Sequence, residues 1–323
     1  MQIDEIFEAN EKLKNKKRIT PLLNSPFLDE IADRKIFIKA ECLQHTGSFK
    51  FRGAYTAISS LPIEKRKRGV IAYSSGNHAQ GVAKAAHCYG TKATIVMPKD
   101  APSIKIAKTQ SLNPKIIFYD RESEIREEIG AKIADKNGLT IIKPYDAMET
   151  IYGQGTAALE AIKQTPNVFD IALICAGGGG LTAGCSIIFK HHNPSIQIFT
   201  TEPEEWNDHE RSYASGTIQA APASASGLCD GLLTPEPGGI PFSINLALDV
   251  QGLSCEEQYI FDAMQLAKEA FAVELEPSGA IALANLIKHK DKFQEKKVFL
   301  TFSGGNVDPE LFNECLAKAK LDL

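Results

Sequence analysis

Ile171-Ala172-Leu173-Ile174-Cys175-Ala176-Gly177-Gly178-Gly179-Gly180-Leu181-Thr182-Ala183-Gly184 reads as a buried strand, a glycine turn and the opening of an apolar helix that continues through Ile187 to Phe189. Strand, tight turn and helix in that order form the unit of a parallel sheet with crossover helices. Four consecutive glycines cost the folded chain too much backbone entropy to serve a mere turn. A backbone that closely approaches a phosphate accounts for them better.

Working outward, short runs rich in Ile, Val and Phe recur at Ile36 to Ala40, Val70 to Tyr73, Ala93 to Met97, Ile116 to Tyr119, Leu139 to Ile142, Ile196 to Thr200 and Val298 to Phe302. Amphipathic segments separate them, so the expected class is α/β with largely parallel sheets. Eight runs are easier to build into two sheets than one. Ile125, Ile129 and Ile133 fall at i, i+4, i+8 and Gly138 follows at a C-cap position, which predicts a helix packing one apolar face on a sheet. Gly216 to Pro241, rich in Ala, Ser, Gly and Pro, is the most linker-like stretch and is expected to form ordered loops near a site.

The chain has 323 residues, 43% hydrophobic and 24% charged, with 36 basic against 40 acidic side chains and a net charge of −4. Such a balance gives no footprint for nucleic acid or an anionic membrane, and the run Lys65-Arg66-Lys67-Arg68 reads as a solvated helix end. Seven scattered cysteines without a CxxC pair predict neither a disulfide framework nor a structural zinc. A charged N-terminus and the absence of a long apolar run predict a soluble, cytoplasmic protein.

Four further constellations carry chemistry. Gly47-Ser48-Phe49-Lys50-Phe51-Arg52-Gly53-Ala54 follows one strand run, and Ser74-Ser75-Gly76-Asn77-His78 joins another to a helical pattern. The latter has the form of an anion site, because the first N–H groups of a helix and the short polar side chains point the same way, although a simple helix cap also explains it. Phe302-Ser303-Gly304-Gly305-Asn306 ends a third run, and Glu202 with Asp208 offers two carboxylates suited to a hard divalent cation or to solvent. Gly178, Gly180 and Ala183 also spell GxGxxA, with Glu202 where a ribose-binding acid would lie, so a nicotinamide dehydrogenase is an open reading.

Taken together, Thr20-Pro21-Leu22, Gly47 to Ala54, Ser74 to Gln80, Gly153-Gln154-Gly155-Thr156, Gly177 to Gly180, Glu202-Pro203, Glu276-Pro277-Ser278-Gly279 and Ser303 to Asn306 resemble the serine/threonine dehydratase and serine racemase branch of the fold-type II pyridoxal-phosphate enzymes. The motifs occur in family order over nearly the whole chain. The dehydrogenase reading leaves Gly47 to Ala54 and Ser303 to Asn306 without a role. The resemblance implies two doubly wound domains of the tryptophan synthase β-like type, a large cofactor domain of residues 1–47 and 147–323 and a small substrate-side domain of residues 48–146.

It further implies that Lys50 carries pyridoxal 5'-phosphate through its amine and that Phe49 lies against the ring. Asn77 would bond the ring hydroxyl, Gly177, Gly178, Gly179 and Gly180 would cradle the phosphate, and Ser303 would face the pyridine nitrogen. A hydroxyl there cannot keep that nitrogen protonated as an aspartate would, which favours loss of a β-hydroxyl over a long-lived carbanion. Ser74, Ser75, Asn77 and His78 would hold the substrate carboxylate, and Asp230 and Thr234 would reach its β-substituent. Ser75 also stands where the family's racemases keep a catalytic serine and many isoleucine-pathway threonine dehydratases carry alanine, so racemisation is chemically open. Glu202, the main-chain carbonyl of Trp206 and Asp208 match the Mg²⁺ or Ca²⁺ site of racemase-like members, with Trp206 bulkier than the residue usual in animal racemases.

Lys132 aligns with an arginine implicated in dicarboxylate binding, a role that competes with its reading as a solvated helix residue. The chain stops 17 residues after Asn306, so the feedback regulation of isoleucine-pathway enzymes is not expected. The expected activity is dehydration and deamination of L-serine, L-threonine or 3-hydroxyaspartate by a homodimer acting on a small amino acid. A dedicated racemase, a dehydrogenase and a non-catalytic binding protein are the rivals.

Overall fold

The apolar runs pair into two separate sheets. In a computed structural model, which describes residues 2–74, 76–101, 103–222 and 227–321, the strands are β1 (Leu22–Leu23), β2 (Ile36–Lys39), β3 (Val70–Tyr73), β4 (Ala93–Pro98), β5 (Lys115–Tyr119), β6 (Thr140–Ile141), β7 (Ile171–Cys175), β8 (Gln197–Pro203), β9 (Gln251–Cys255) and β10 (Val298–Thr301). One sheet has the order β1-β2-β10-β7-β8-β9 and the other β5-β4-β3-β6. All pairs are parallel except β1 with β2.

Alternation along the small sheet divides its contacts. Val70, Ala72, Ile95 and Met97 join a core with Phe51, Ala54 and Val82, while Ile71 and Val96 face Tyr119 and Ala134 on the other side. The large sheet is covered on both faces by one continuous core that includes Leu173, Phe189, Phe199, Ile281 and Phe299. The predicted α/β class with largely parallel sheets is therefore the observed one.

Several local expectations need correction. Two strands escaped the reading: β1 has only two residues, and β9 (Gln-Gly-Leu-Ser-Cys) sits at a sheet edge without a continuous apolar run. The run from Leu139 to Ile142 contributes only Thr140 and Ile141, and Ile196 precedes β8. The isoleucine helix begins at Arg126, so Ile125 is an extended N-cap residue left 58% exposed, and only Ile129 and Ile133 reach the sheet. Gly138 ends that helix at φ 64, as its C-cap position predicts. The basic run 65–68 closes a short solvated helix (Ile63–Arg68). No helix among the described residues is long and apolar enough to cross a membrane.

Candidate active site

The carboxyl ends of β3, β7 and β10 open into one cleft of about 360 Å³, the place where parallel sheets present loops and helix N-termini to a ligand. Lys50, Asn77, Gly177 to Gly180, Asp230, Thr234 and Ser303 all line it. Residues read from motifs up to 254 positions apart thus converge, Phe49 with Ser303 being the extreme.

Lys50 opens the helix Lys50–Ser59, and the turn before it is tied to the large sheet. Phe49 N–H donates to the Ser303 carbonyl at 3.2 Å, and Ser48 bridges to Gly304. The Lys50 ammonium donates to the Pro144 carbonyl at 3.1 Å and lies 5.0 Å from the centre of the Phe49 ring. Lys50 is partly accessible from the cleft, yet protein surrounds its amine, and this desolvation lowers its pKa to about 8 although Cys175 and Glu276 oppose the shift.

Two residues on, Arg52 anchors the same helix from below. Its guanidinium pairs with Glu41 at 2.7 Å and with Glu160 at 3.1 Å, while Lys39 and Lys17 reach Glu160 at 2.7 and 2.9 Å. Burial alone would raise the Glu160 carboxyl, but the three cations bring it down to about 2.

The glycine run leads into the helix Gly180–His192, which no side chain caps, so its first N–H groups are available to an anion. A Cβ on Gly178 would stand 2.2 Å from the Tyr145 ring, and Gly179 has φ 83, so neither position admits a larger residue without strain. Ser303 is buried, donates to the Ser278 carbonyl at 3.3 Å and also bonds Cys175.

Ser74 reaches the cleft and its hydroxyl accepts from Gly76 N–H at 3.2 Å. Ser75 lies outside the described residues. Asn77 opens the helix Asn77–Tyr89, donates to Glu276 and accepts from Asn306 at 2.8 Å. His78 touches the cleft wall, but its ring donates to the Ile142 carbonyl at 2.8 Å. Burial, with Lys50 nearby, lowers its pKa to about 3, so the imidazole is neutral. Its side chain is thereby committed to the backbone, while the turn it belongs to faces the cleft.

Asp230 pairs with Lys105, a buried cation that also stands 3.7 Å from the Glu276 carboxylate. Lys105 gave no signal in the sequence, being one of several lysines in a polar stretch, and Glu276 was legible as part of a motif without a role. Lys132 is exposed and pairs with Glu128 at 3.8 Å on the solvent side, so it does not enter the site. The cation that this helix does present to the cleft is Arg126, at its first turn.

A second cluster sits behind the glycine run. Glu202 is buried, both its oxygens accept backbone N–H bonds at 2.9 Å, from His209 and Glu210, and burial with Asp208 alongside pushes its pKa well up. Burial also pushes Asp208 up to about 7, and its Oδ2 has no hydrogen-bond partner. His209 donates from Nε2 to the Gly177 carbonyl at 2.6 Å, and burial lowers its pKa to about 4. One helix start thus links the acid pair to the glycine loop. Among the described residues no group of three or more His, Cys, Asp or Glu side chains is placed to hold a metal ion, so any cation here depends on carbonyl or water ligands as well.

A covered parallel-sheet pair, with a desolvated lysine facing a glycine-lined helix N-terminus, defines an enzyme built around a phosphorylated carbonyl cofactor. A model of the pyridoxal-phosphate dependent enzyme family matches residues 13–304, and the chain belongs to that family. It is 38% identical over 312 residues to an L-threo-3-hydroxyaspartate ammonia-lyase of Pseudomonas sp, covering 97% of each chain. It is 35% identical over 315 residues to a serine racemase of Schizosaccharomyces pombe, covering 98% of this chain and 97% of the other. The solved structure of maize serine racemase superimposes with a TM-score of 0.92 at 34% identity, covering 98% and 97% of the two chains. The dehydrogenase reading of GxGxxA is overturned by these matches.

Proposed function

We propose that this enzyme dehydrates and deaminates a hydroxy amino acid, L-serine, L-threonine or 3-hydroxyaspartate, to a 2-oxo acid and ammonia. The observation that carries the reading is the convergence of Lys50, the uncapped glycine-lined helix start, Asn77 and Ser303 on one cleft. These residues fit pyridoxal phosphate. Backbone N–H groups of Gly177 to Gly180 suit a phosphate, Phe49 offers an apolar wall, and Lys50 is an amine with a sizeable neutral fraction near pH 8. When bound, the cofactor supplies an electron sink for the pair left on Cα.

The chain's own residues do the rest. The Ser74 to Asn77 turn binds the substrate carboxylate and so orients the Cα–H bond toward the Lys50 side. Lys50 Nζ, neutral, removes the Cα proton. Asp230 and Thr234 contact the β-substituent, whose departure with its bonding pair yields an enamine, and hydrolysis of that enamine releases the 2-oxo acid and ammonia. Ser303 offers the pyridine nitrogen a neutral partner. Glu202, Asp208 and the Trp206 carbonyl would hold Mg²⁺ or Ca²⁺, which the unpartnered buried oxygen of Asp208 suits, and the cation would order the loop behind the phosphate site. We further assign residues 48–146 to a small substrate-side domain, the remainder to a large one, a homodimeric assembly and a cytoplasmic setting.

Amino-acid racemisation is the second reading, supported by the relatives named serine racemase and by serine at position 75. The test is the visible absorption of the holoenzyme with each candidate substrate, followed by assay for 2-oxo acid, ammonia and the D-isomer. A visible band that changes with L-serine and yields pyruvate supports elimination, and D-serine as main product supports racemisation. A protein that acquires no visible band from pyridoxal phosphate overturns both.

A further inference from the structure

We propose that Glu276, Asn306 and Lys108 are positioning residues that decide which way round the Asn77 amide faces the cofactor. The proposal rests on the reading of Asn77 as donor to the ring oxygen. An asparagine amide can sit in either of two orientations that occupy nearly the same space, one offering N–H and the other C=O. Only the first suits an anionic oxygen, so something must choose.

The choice is made by a chain of groups that starts on an ammonium, which can only donate. The helix Ser103–Gln110 places Lys105 and Lys108 about one turn apart. The Lys108 ammonium, which can only donate, gives a hydrogen bond to Asn306 Oδ1 at 2.8 Å. Asn306 Nδ2 is thereby turned the other way, where it donates to the Thr46 carbonyl at 2.7 Å and to Asn77 Oδ1 at 2.8 Å. With its oxygen claimed, Asn77 directs Nδ2 at Glu276 Oε1. Burial raises the Glu276 carboxyl while Lys105 opposes the shift; Oε1 is the atom that accepts from Asn77, and the other oxygen stands 3.7 Å from Lys105 Nζ. The chain therefore leaves one helix on a lysine and returns to it on a lysine, and every amide between has one satisfied orientation.

Gly304 makes the arrangement possible. A Cβ there would lie 2.0 Å from Glu276 Oε1 and 3.0 Å from Asn77 Nδ2. Asn77 Nδ2 carries two hydrogens; Glu276 takes one, and the second is left for the ring oxygen. Turning the amide over would forfeit its bonds to both Glu276 and Asn306 and would present a carbonyl to the cofactor.

The test is a double-mutant cycle on pyridoxal-phosphate affinity, measured by fluorescence titration of the apoprotein, with the absorption band of the bound cofactor as a second readout. Asn77→Ala is expected to weaken binding about tenfold, as for one lost hydrogen bond to an ionised group, and to shift the band toward shorter wavelength. Lys108→Met and Glu276→Gln, neither of which removes the Asn77 contact itself, are expected to weaken binding several-fold with the same shift. In the Asn77→Ala background, Lys108→Met should add nothing, because it acts only through that amide.

Additive losses would overturn the proposal and leave Lys108 a general structural residue, as would parental affinity and band in Lys108→Met. An unchanged Asn77→Ala would overturn it by removing its premise, while Lys50→Ala still reported on the cofactor site independently. If Lys108→Met does not fold, Lys108→Ala, which likewise removes the donor to Asn306 Oδ1, is read through the same band shift.

Discussion

Lys50 should capture pyridoxal phosphate with a pH dependence that an ordinary lysine cannot show. With its pKa lowered to about 8 by burial, roughly a quarter of the amine is neutral at pH 7.5, against about 0.1% for an exposed lysine at its usual value. The expected advantage is therefore some two hundredfold at that pH. Below about pH 8 the capture rate should rise nearly tenfold per unit, and above it the rate should level off. The assay is stopped-flow absorbance of apoprotein mixed with pyridoxal phosphate from pH 6 to 10, normalised to Nα-acetyl-lysine at each pH to remove the cofactor's own titration. A normalised rate that stayed constant to pH 10, instead of falling above about pH 8 while the free lysine continues to deprotonate, would refute the desolvation argument. A Lys50→Ala protein that still formed the visible band would refute the assignment of the residue. Stability carries the same sign: between pH 8 and 10.5 the unfolded chain binds a proton that the folded apoprotein does not, so the apoprotein gains stability as pH rises through that window.

Other outcomes follow from the same geometry. His78 and His209 are buried neutral with pKa values lowered to about 3 and about 4, so stability present above pH 6.5 is lost on acidification as the unfolded chain takes up their protons. Each should contribute a loss of about 2 kcal/mol by pH 5, and urea midpoints that agree at pH 7 and pH 5 would contradict this. Gly178→Ala forces a methyl into the Tyr145 ring and should weaken cofactor binding at least tenfold, about 1.4 kcal/mol. Arg52→Met strands the buried Glu41 carboxylate and should cost about 3–5 kcal/mol in denaturant unfolding; a loss below about 1 kcal/mol would mean the pair is replaceable by packing. Chelation should lower the thermal midpoint, Mg²⁺ or Ca²⁺ should restore it, and Asp208→Asn should abolish the response.

The strands that carry the cleft were readable because the middle strands of a parallel sheet are buried on both faces and must be almost wholly apolar. Val70 to Tyr73 and Ile171 to Cys175 occur where they were expected, residue for residue. β9 was not readable for the converse reason: at the sheet edge, packed beside the helix Asp208–Ser215, it needs Gly252 where a Cβ would lie 2.2 Å from Glu210 Cα. Lys132 illustrates the limit of spacing arguments on a helix. A shift of a few positions turns a residue from the cleft to solvent, and Arg126 rather than Lys132 faces inward.

The sequence by itself determined the class of sheet and the glycine-lined helix start, because both depend on local chemistry, apolar runs and chain entropy, whereas Lys50 was singled out only by the resemblance of the motif around it to a family. The tertiary structure alone decided what those residues meet. Lys105 and Asp230 lie 125 positions apart and Asn77 and Asn306 lie 229 apart, and no periodicity records such pairings. The lowered pKa of Lys50, the commitment of the His78 ring to a backbone carbonyl and the single orientation open to the Asn77 amide all arise from burial and from partners brought by other strands. Those are properties of the folded surroundings, not of the residues that express them.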